Sequence, residues 1–142
     1  SGDRQRTNEE IQTPIPLKVG VGSTNDVVLG ADGQSVFSAH SSGAVVRWQL
    51  SADTNPSPVQ MGLFAGDNVS KQSLALSSDG KVVWADGADG GIRAWDVESG
   101  KEVKAYQANV GSGVNGGVRT LAFGGEAVFS GGGNGAIQRW NA

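Results

Sequence analysis

The sequence predicts an all-β chain built from repeated antiparallel strand units. Its apolar runs are short, β-branched or alternating, and they are bounded by Gly, Asn, Asp and Ser. Residues 76–100 show the unit best, because Asp79-Gly80 and Asp89-Gly90 punctuate two such runs. An Asp-Gly pair between apolar runs favours a hairpin, since Gly accepts positive φ and Asp bonds its own backbone. We therefore expect strand meanders and essentially no helix.

The same pattern occurs three times along the chain, with Trp95 following Trp48 by 47 positions and preceding Trp140 by 45. Aromatic residues recur at two positions per copy, in the third strand and in the second: Trp48, Trp95 and Trp140; Phe37, Trp84 and Phe129. The turn before the third strand carries Asp89 or Asn134. Burying an aromatic side chain contributes about 1.5–3 kcal/mol. Recurrence at fixed places therefore predicts packing between units, in preference to a stacking platform for sugars or bases.

The repeats set the expected domain boundaries. Residues 1–13 are polar and predict a flexible tail, and residues 14–142 form one repeat domain. We expect its units at roughly 26–66, 73–108 and 118–142, the last completed by a strand at 14–19. Fourth apolar segments follow the first two copies, at 59–64 and 103–106.

A period of about 45 residues, four strands per unit and a Trp-Asp pair ending the third strand resemble the WD40 repeat of β-propellers. The resemblance covers residues from about 14 to 142 and is strongest in SSDGKVVWADGADGGIRAWDVESGKEV, residues 77–103. It implies three four-stranded blades in an interaction platform without enzymatic activity or cofactor. No Gly-His dipeptide precedes any copy, so only Trp95 and Asp89 match the family's Asp–His–Ser/Thr–Trp network. The alternative architecture is a small β-sandwich.

The composition of the chain limits the kinds of partner and site that we expect. Lys and Arg number 11 against 14 Asp and Glu, for a net charge of -3, which disfavours nucleic acid as a partner. No apolar run approaches the roughly 18 residues of a membrane span. With no cysteine there is neither a disulfide nor a thiolate metal site. We expect a soluble protein, with the cytoplasm favoured over other compartments.

Candidate chemical motifs each have a structural interpretation. Asp86 and Asp89 resemble a calcium loop only faintly, because the ligand spacing and the closing Glu are missing, so a turn is expected. His40 is the single histidine, and no nucleophile-elbow motif accompanies it. Residues 131–133 are three glycines without a following Lys-Ser/Thr or helix, which favours a turn over a phosphate loop. We expect no metal site and no catalytic residue.

The resemblance implies that ligands meet the loops entering each first strand and the turns between the second and third strands. The positions that match are Asn25, His40, Asp67, Asn68, Asp86 and Asn115. A protein or peptide ligand is one hypothesis. The alternatives are a repeat cassette or fragment of a larger propeller without a ligand of its own, and a propeller that binds a glycan or small molecule.

Three blades cannot enclose an axis, because propellers typically close with 4–8 blades. The strand at 14–19 offers a partner, since Leu17 precedes Val27 by ten residues just as Phe64 precedes Leu74. In a closed ring this strand would complete the third blade of a neighbouring chain and cover its open edge. We expect a homodimer of six blades, with a homotrimer of nine as the runner-up.

Overall fold

A computed structural model describes residues 22–50, 70–86, 91–106, 117–133 and 135–142. In these ranges every regular element is a β-strand, and the strands form three antiparallel sheets. The prediction of an all-β chain of repeated meanders is therefore confirmed. The expected strand at 14–19 and the apolar segment at 59–64 lie outside the described residues.

Sheet 1 contains β1 (Thr24–Leu29), β2 (Ser35–His40) and β3 (Val45–Gln49), in that order. Sheet 3 has the same layout, with β8 (Val118–Gly124), β9 (Ala127–Gly132) and β10 (Ile137–Asn141). Consecutive strands pair through tight turns, so each sheet is a meander of local hairpins.

Sheet 2 lies between them and has four strands within the described residues. They are β4 (Leu74–Leu76), β5 (Val82–Asp86), β6 (Ile92–Asp96) and β7 (Glu102–Tyr106), in sequential order. The strand β7 is the fourth apolar segment that the sequence predicted at 103–106.

The turns between first and second strands depend on aspartate acceptors. Asp32 accepts the backbone N–H groups of Gln34 and Ser35, both at 2.9 Å. Asp79 accepts the Ser77 hydroxyl at 2.6 Å and the Lys81 N–H at 3.0 Å. These hydrogen bonds favour the ionised carboxylates, and they hold the pKa of both aspartates below 3.8.

Gly80 completes the second of these turns in a conformation that favours glycine. Its φ is 73°, and a Cβ added there would lie 3.1 Å from the Ala31 Cβ of sheet 1. Glycine therefore permits both the turn and the close approach of the two sheets.

Two apolar layers join the sheets. The first lies between sheets 1 and 2 and contains Phe37, Ala39, Val45, Leu74, Val83, Ala85, Trp95 and Val97. The second lies between sheets 2 and 3 and contains Ala75, Trp84, Ile92, Ala94, Val118, Leu121 and Val128. Because side chains alternate along a strand, neighbours such as Val83 and Trp84 enter opposite layers. Sheet 2 is thus buried on both faces.

The six recurrent aromatic residues do not all share one environment. Phe37, Trp84 and Trp95 are each 1% exposed and Trp48 is 3% exposed, whereas Trp140 is half-buried. Phe129 is 38% exposed in the single chain, so its packing between units stays a prediction. The equivalent Phe37 and Trp84 are covered by the following sheet, but no described sheet follows sheet 3.

Trp95 and Arg93 offer a matched test of burial along β6, because they lie two residues apart on one strand and differ in exposure. Trp95→Ala removes a buried aromatic from the first apolar layer and should lower the free energy of unfolding by about 3–5 kcal/mol. Arg93 pairs with Glu102 at 3.0 Å, and the two side chains are 29% and 38% exposed. Because exposed ion pairs contribute little, Arg93→Ala should cost under about 1 kcal/mol. Equal denaturant midpoints for the two variants would contradict this difference in burial.

Candidate functional site

The predicted loop residues that the structure describes converge on one short segment ahead of β4. Asn25 donates from Nδ2 to the Lys71 carbonyl at 2.7 Å, and the Lys71 N–H donates to the His40 carbonyl at 3.0 Å. Lys71 is fully buried at 0% exposure. Asn25 and His40 therefore anchor the connection that enters sheet 2. Asp67, Asn68 and Asn115 lie outside the described residues, as do Asp89 and Asn134.

Asp86 binds the same segment from the end of β5. Its Oδ1 accepts the backbone N–H groups of Gln72 at 2.7 Å and Ser73 at 3.0 Å. Burial raises the pKa of Asp86 above 3.8, while the hydrogen bonds from Ser73 and Gln72 and the charge of Lys71 act in the opposite direction. A buried carboxylate fixed by two backbone donors has a structural role here, because its acceptor sites point at the chain itself.

These side chains do not assemble a metal site in the described ranges. Within residues 22–50, 70–86, 91–106, 117–133 and 135–142, no three His, Asp or Glu side chains form a group able to hold a metal ion. The three predicted residues share one structural role. Asn25, His40 and Asp86 all form hydrogen bonds with residues 71–73, which lead into the first strand of sheet 2.

A buried polar chain crosses sheet 1. The Trp48 indole donates from Nε1 to the Ser38 Oγ at 2.8 Å, and this oxygen lies 2.7 Å from His40 Nε2. All three residues are at most 4% exposed. The histidine comes from the same strand as the serine, so sheet 1 forms a Trp–Ser–His chain although no Gly-His dipeptide precedes it.

The corresponding bond recurs in sheet 3, where Trp140 Nε1 donates to Ser130 Oγ at 2.8 Å. Sheet 2 has Ala85 at the matching position, ten residues before Trp95. The serine hydroxyls fix the indole orientation in two of the three sheets, and this function was not apparent from the sequence.

An aromatic groove opens between sheets 2 and 3. Tyr106 stacks between Trp84 and Trp140, with ring centroids 6.2 Å and 5.8 Å apart, and its hydroxyl donates to the Asn141 carbonyl at 2.9 Å. The adjoining cavity has a volume of about 550 Å³, with Trp84, Phe123 and Arg139 in its lining. Trp84 Nε1 is buried and has no hydrogen-bond partner among the described residues.

The two outer faces of the three-sheet stack expose apolar side chains. On sheet 1, Val27 and Leu29 are 56% and 62% exposed, although the equivalent Leu74 and Leu76 belong to the first apolar layer. On sheet 3, Ile137 is 80% exposed, although the equivalent Ile92 is fully buried. Among the described residues, Val27, Leu29 and Ile137 are thus exposed at positions whose equivalents join the sheets internally.

Comparison with solved structures identifies the fold. The crystal structure of the RRP9 WD40 repeats superposes with a TM-score of 0.70 at 21% identity, covering 89% of this chain and 37% of that chain. The WD40 β-propeller domain of Doa1 gives a TM-score of 0.68 at 21% identity, covering 88% and 40%. The chain has the WD40 β-propeller fold. Sheets 1 to 3 are three consecutive blades, as the resemblance implied.

Two curated sequences similar to this WD40 chain come from plants. It is 27% identical over 136 residues to U3 snoRNP-associated protein-like EMB2271 of Arabidopsis thaliana, across 84% of this chain and 27% of that protein. It is 33% identical over 114 residues to U3 snoRNP-associated protein-like YAOH of Oryza sativa subsp. japonica, across 69% and 20%. The chain spans about a quarter or less of these relatives. No protein-family model matches the sequence.

Among the residues that the structure describes, there is no helix with the length and apolarity needed to cross a membrane.

Ser38 should be the more important of the two serines that bind an indole. Ser38→Ala leaves the buried Trp48 N–H and His40 Nε2 without this partner, at an expected cost of about 1–3 kcal/mol. Ser130→Ala is the matched control, because Trp140 is only half-buried and water can replace the hydroxyl. Denaturant unfolding measures both variants. A cost for Ser130→Ala equal to or above that for Ser38→Ala would contradict the role of burial.

Asp79 and Asp86 should change the pH dependence of stability in opposite directions. Because the pKa of Asp79 is lowered in the folded state, the ionised carboxylate stabilises the fold above pH 3.8. This stabilisation is lost as pH falls through the folded pKa. The raised pKa of Asp86 means that its ionised form opposes folding, and protonation relieves this as pH falls toward 3.8.

The two corresponding asparagine variants test this assignment by urea unfolding across the acid range. Asp79→Asn should flatten the loss of stability below pH 3.8. Asp86→Asn should make the loss of stability in acid begin at a higher pH, because the folded state no longer gains stability by protonating Asp86. The same pH profile for both variants would show that the two environments are assigned wrongly.

Proposed function

We propose that the chain is a non-catalytic WD40-type protein-interaction scaffold that closes into a complete propeller by self-association. The observation that carries the proposal is the repetition of one blade contact. Sheets 1 and 2 meet through the same positions as sheets 2 and 3. The outer faces of sheets 1 and 3 present the two unpaired sides of this contact in a single chain.

Exposed apolar positions support self-association as the means of closure. Phe129 and Ile137 on sheet 3 match Phe37 and Val45 of sheet 1, which are buried against sheet 2. An apolar face of this kind favours a partner, because exposed aromatic and aliphatic clusters gain free energy when they are buried. Sheet 1 of a second copy has the matching surface, so a head-to-tail ring follows.

Two copies give six blades and three give nine, and the smaller ring falls within the usual 4–8. We therefore propose the homodimer, with the homotrimer as runner-up. The strand at 14–19 completes the third blade of the neighbouring chain in this arrangement, as the sequence spacing suggests.

The ligand of such a scaffold is a protein. The curated relatives are named as U3 snoRNP-associated, which favours a protein component of a ribonucleoprotein particle as the partner. The net charge of -3 supports a protein contact over direct binding to RNA. This association also favours the compartment of that particle over the cytoplasm that composition suggested.

Two alternatives each have an observation in their favour. The chain spans 27% and 20% of the two curated relatives, which supports a repeat cassette within a larger propeller. The groove of about 550 Å³ beside Trp84 supports a glycan or small-molecule site, since an aromatic wall with nearby charged groups suits a sugar ring.

Light scattering on the purified chain distinguishes the scaffold from the cassette. The chain has a mass of 14.5 kDa, so the homodimer has twice that mass, 29 kDa, at micromolar concentration. Phe129→Asp should reduce the mass toward that of one chain, because a carboxylate on a blade face is costly to bury. Val103→Asp is the matched control, since Val103 is 49% exposed on the outer strand of the central blade, which already has both neighbours.

A folded monomer at all concentrations would contradict self-association and favour the cassette. Loss of assembly in both aspartate variants would show that the contact does not use the blade face. Assembly of a variant lacking residues 1–20 with unchanged affinity would leave the ring in place and remove the exchanged strand from it.

A further inference from the structure

The innermost strands of the three blades are linked by polar side chains at equivalent positions. The strand β4 lies between β1 and β8. Asp26, Ser73 and Thr120 follow one another at intervals of 47 residues, and each lies just before the position of Leu74 or its counterparts Val27 and Leu121. The intervals place the three residues at the same point of successive blades.

Two hydrogen bonds show what this position does. Asp26 Oδ2 accepts the backbone N–H of Leu74 at 2.8 Å. Ser73 Oγ accepts the backbone N–H of Leu121 at 2.9 Å, and its hydroxyl donates to Asp26 Oδ2 at 3.3 Å. Each acceptor thus binds the N–H that lies 48 residues further on, in the following blade. An equivalent hydrogen bond therefore recurs at both contacts between blades within the chain. It fixes the position of each inner strand along the length of its neighbour.

The same backbone irregularity orients the side chains of Asp26 and Thr120, the first and last members of the series. The pairing of β1 with β2 shifts register between Thr24 and Asp26, and the pairing of β8 with β9 shifts between Val118 and Thr120. A β-bulge at the same place in both blades turns the next side chain in the same direction. Thr120 is therefore presented to the space beyond sheet 3 as Asp26 is presented to sheet 2.

The unpaired ends of the series lie on the two outer faces. Thr120 is exposed at the end of the series that has no following described blade. At the other end, Val27 is the counterpart of Leu74 and Leu121, and its N–H donates to Oδ1 of the adjacent Asp26 in the same strand at 2.9 Å. Because this bond is exposed to solvent, the N–H can exchange its partner at little cost.

We propose that a second copy of this chain occupies the open face of sheet 3, in the register where Thr120 Oγ1 accepts the Val27 N–H of that copy. This inference rests on the proposed self-association and specifies its contact. In the same register the Thr120 hydroxyl can donate to Asp26 of the second copy, which gives a hydroxyl–carboxylate pair like that of Ser73 and Asp26 but with the donor in the preceding blade. Phe129 and Ile137 then meet Val27 and Leu29, by analogy with the layer that holds Phe37, Val45, Leu74 and Leu76.

A second copy is the occupant because it supplies both kinds of group at the required spacing. The Val27 side chain is apolar and 56% exposed, and its own N–H is the donor that Thr120 requires. One residue therefore provides the hydrogen bond and an apolar contact, as Leu74 and Leu121 do within the chain.

Engineered disulfides test the register, since the chain has no native cysteine. The double variant Asp26→Cys/Thr120→Cys should form a covalent link between chains under mild oxidation, giving a 29-kDa band on a non-reducing gel if the ring is a dimer. Asp26→Cys/Ser73→Cys is the positive control, because these side chains already touch within one chain, and its band stays at 14.5 kDa. The off-register pair Thr24→Cys/Thr120→Cys should not link, since two strand residues displace the contact by about 6.6 Å.

Substitutions of Thr120 itself test the hydrogen bonds without cysteine. Thr120→Val keeps the shape and removes the hydroxyl at two contacts per closed dimer, so the dimer dissociation constant should rise at least about tenfold. Thr120→Ser keeps the hydroxyl and should bind within about threefold of the native chain. Analytical ultracentrifugation over a dilution series measures both.

The outcomes separate the register from self-association. If the chain is a dimer but only the off-register pair links, and Thr120→Val assembles normally, the proposed register is wrong and self-association stands. If the chain is a monomer at every concentration, both proposals fail. Linking of Asp26→Cys/Thr120→Cys together with weaker assembly of Thr120→Val supports both.

Discussion

The structure depends on the burial of apolar sheet faces against one another. A strand displays alternate residues on its two faces, so a meander with apolar residues on both faces needs a neighbour on each side. Sheet 2 has both neighbours, and its aromatic residues on both faces, Trp84 and Trp95, are each 1% exposed. Sheets 1 and 3 each have one described neighbour, and Leu29 and Ile137 are exposed on their other faces. The stability of the outer blades is therefore tied to whatever covers those faces.

Polar groups at the strand entries are the second constraint, because buried backbone donors require acceptors. Asp86 supplies acceptors for the N–H groups of Gln72 and Ser73 just before β4, and Asn25 binds the carbonyl of Lys71. These residues were attractive candidates for ligand contacts, since small polar side chains in loops often bind partners. Their hydrogen bonds within the chain show that small polar side chains in such loops can serve to hold the entry to a blade in place.

The sequence predicts a structural feature best when the residues that determine this feature lie close together in the chain. Strand order and the buried Trp95 follow from local alternation and turn chemistry, which are visible in a few consecutive residues. The bond from Trp48 to Ser38 joins residues ten positions apart across a hairpin, and Ser38 has no distinguishing motif. Phe129 occupies the same repeat position as Phe37, yet its exposure depends on a neighbouring sheet and not on its own repeat. Periodicity identifies equivalent positions, whereas burial is a property of the assembly.

The inner polar series also constrains how a ring can close. Within one chain the series runs from a carboxylate through two hydroxyls, from Asp26 through Ser73 to Thr120. Serine and threonine can donate and accept, whereas an ionised aspartate only accepts. Two carboxylates at adjacent positions would repel and would lack a donor between them. Head-to-tail closure places a threonine before each aspartate, so every carboxylate is flanked by hydroxyls, while a head-to-head arrangement brings the two Asp26 side chains together. The order of residues therefore favours a contact of sheet 3 with sheet 1 of the second copy over a contact between two copies of sheet 1.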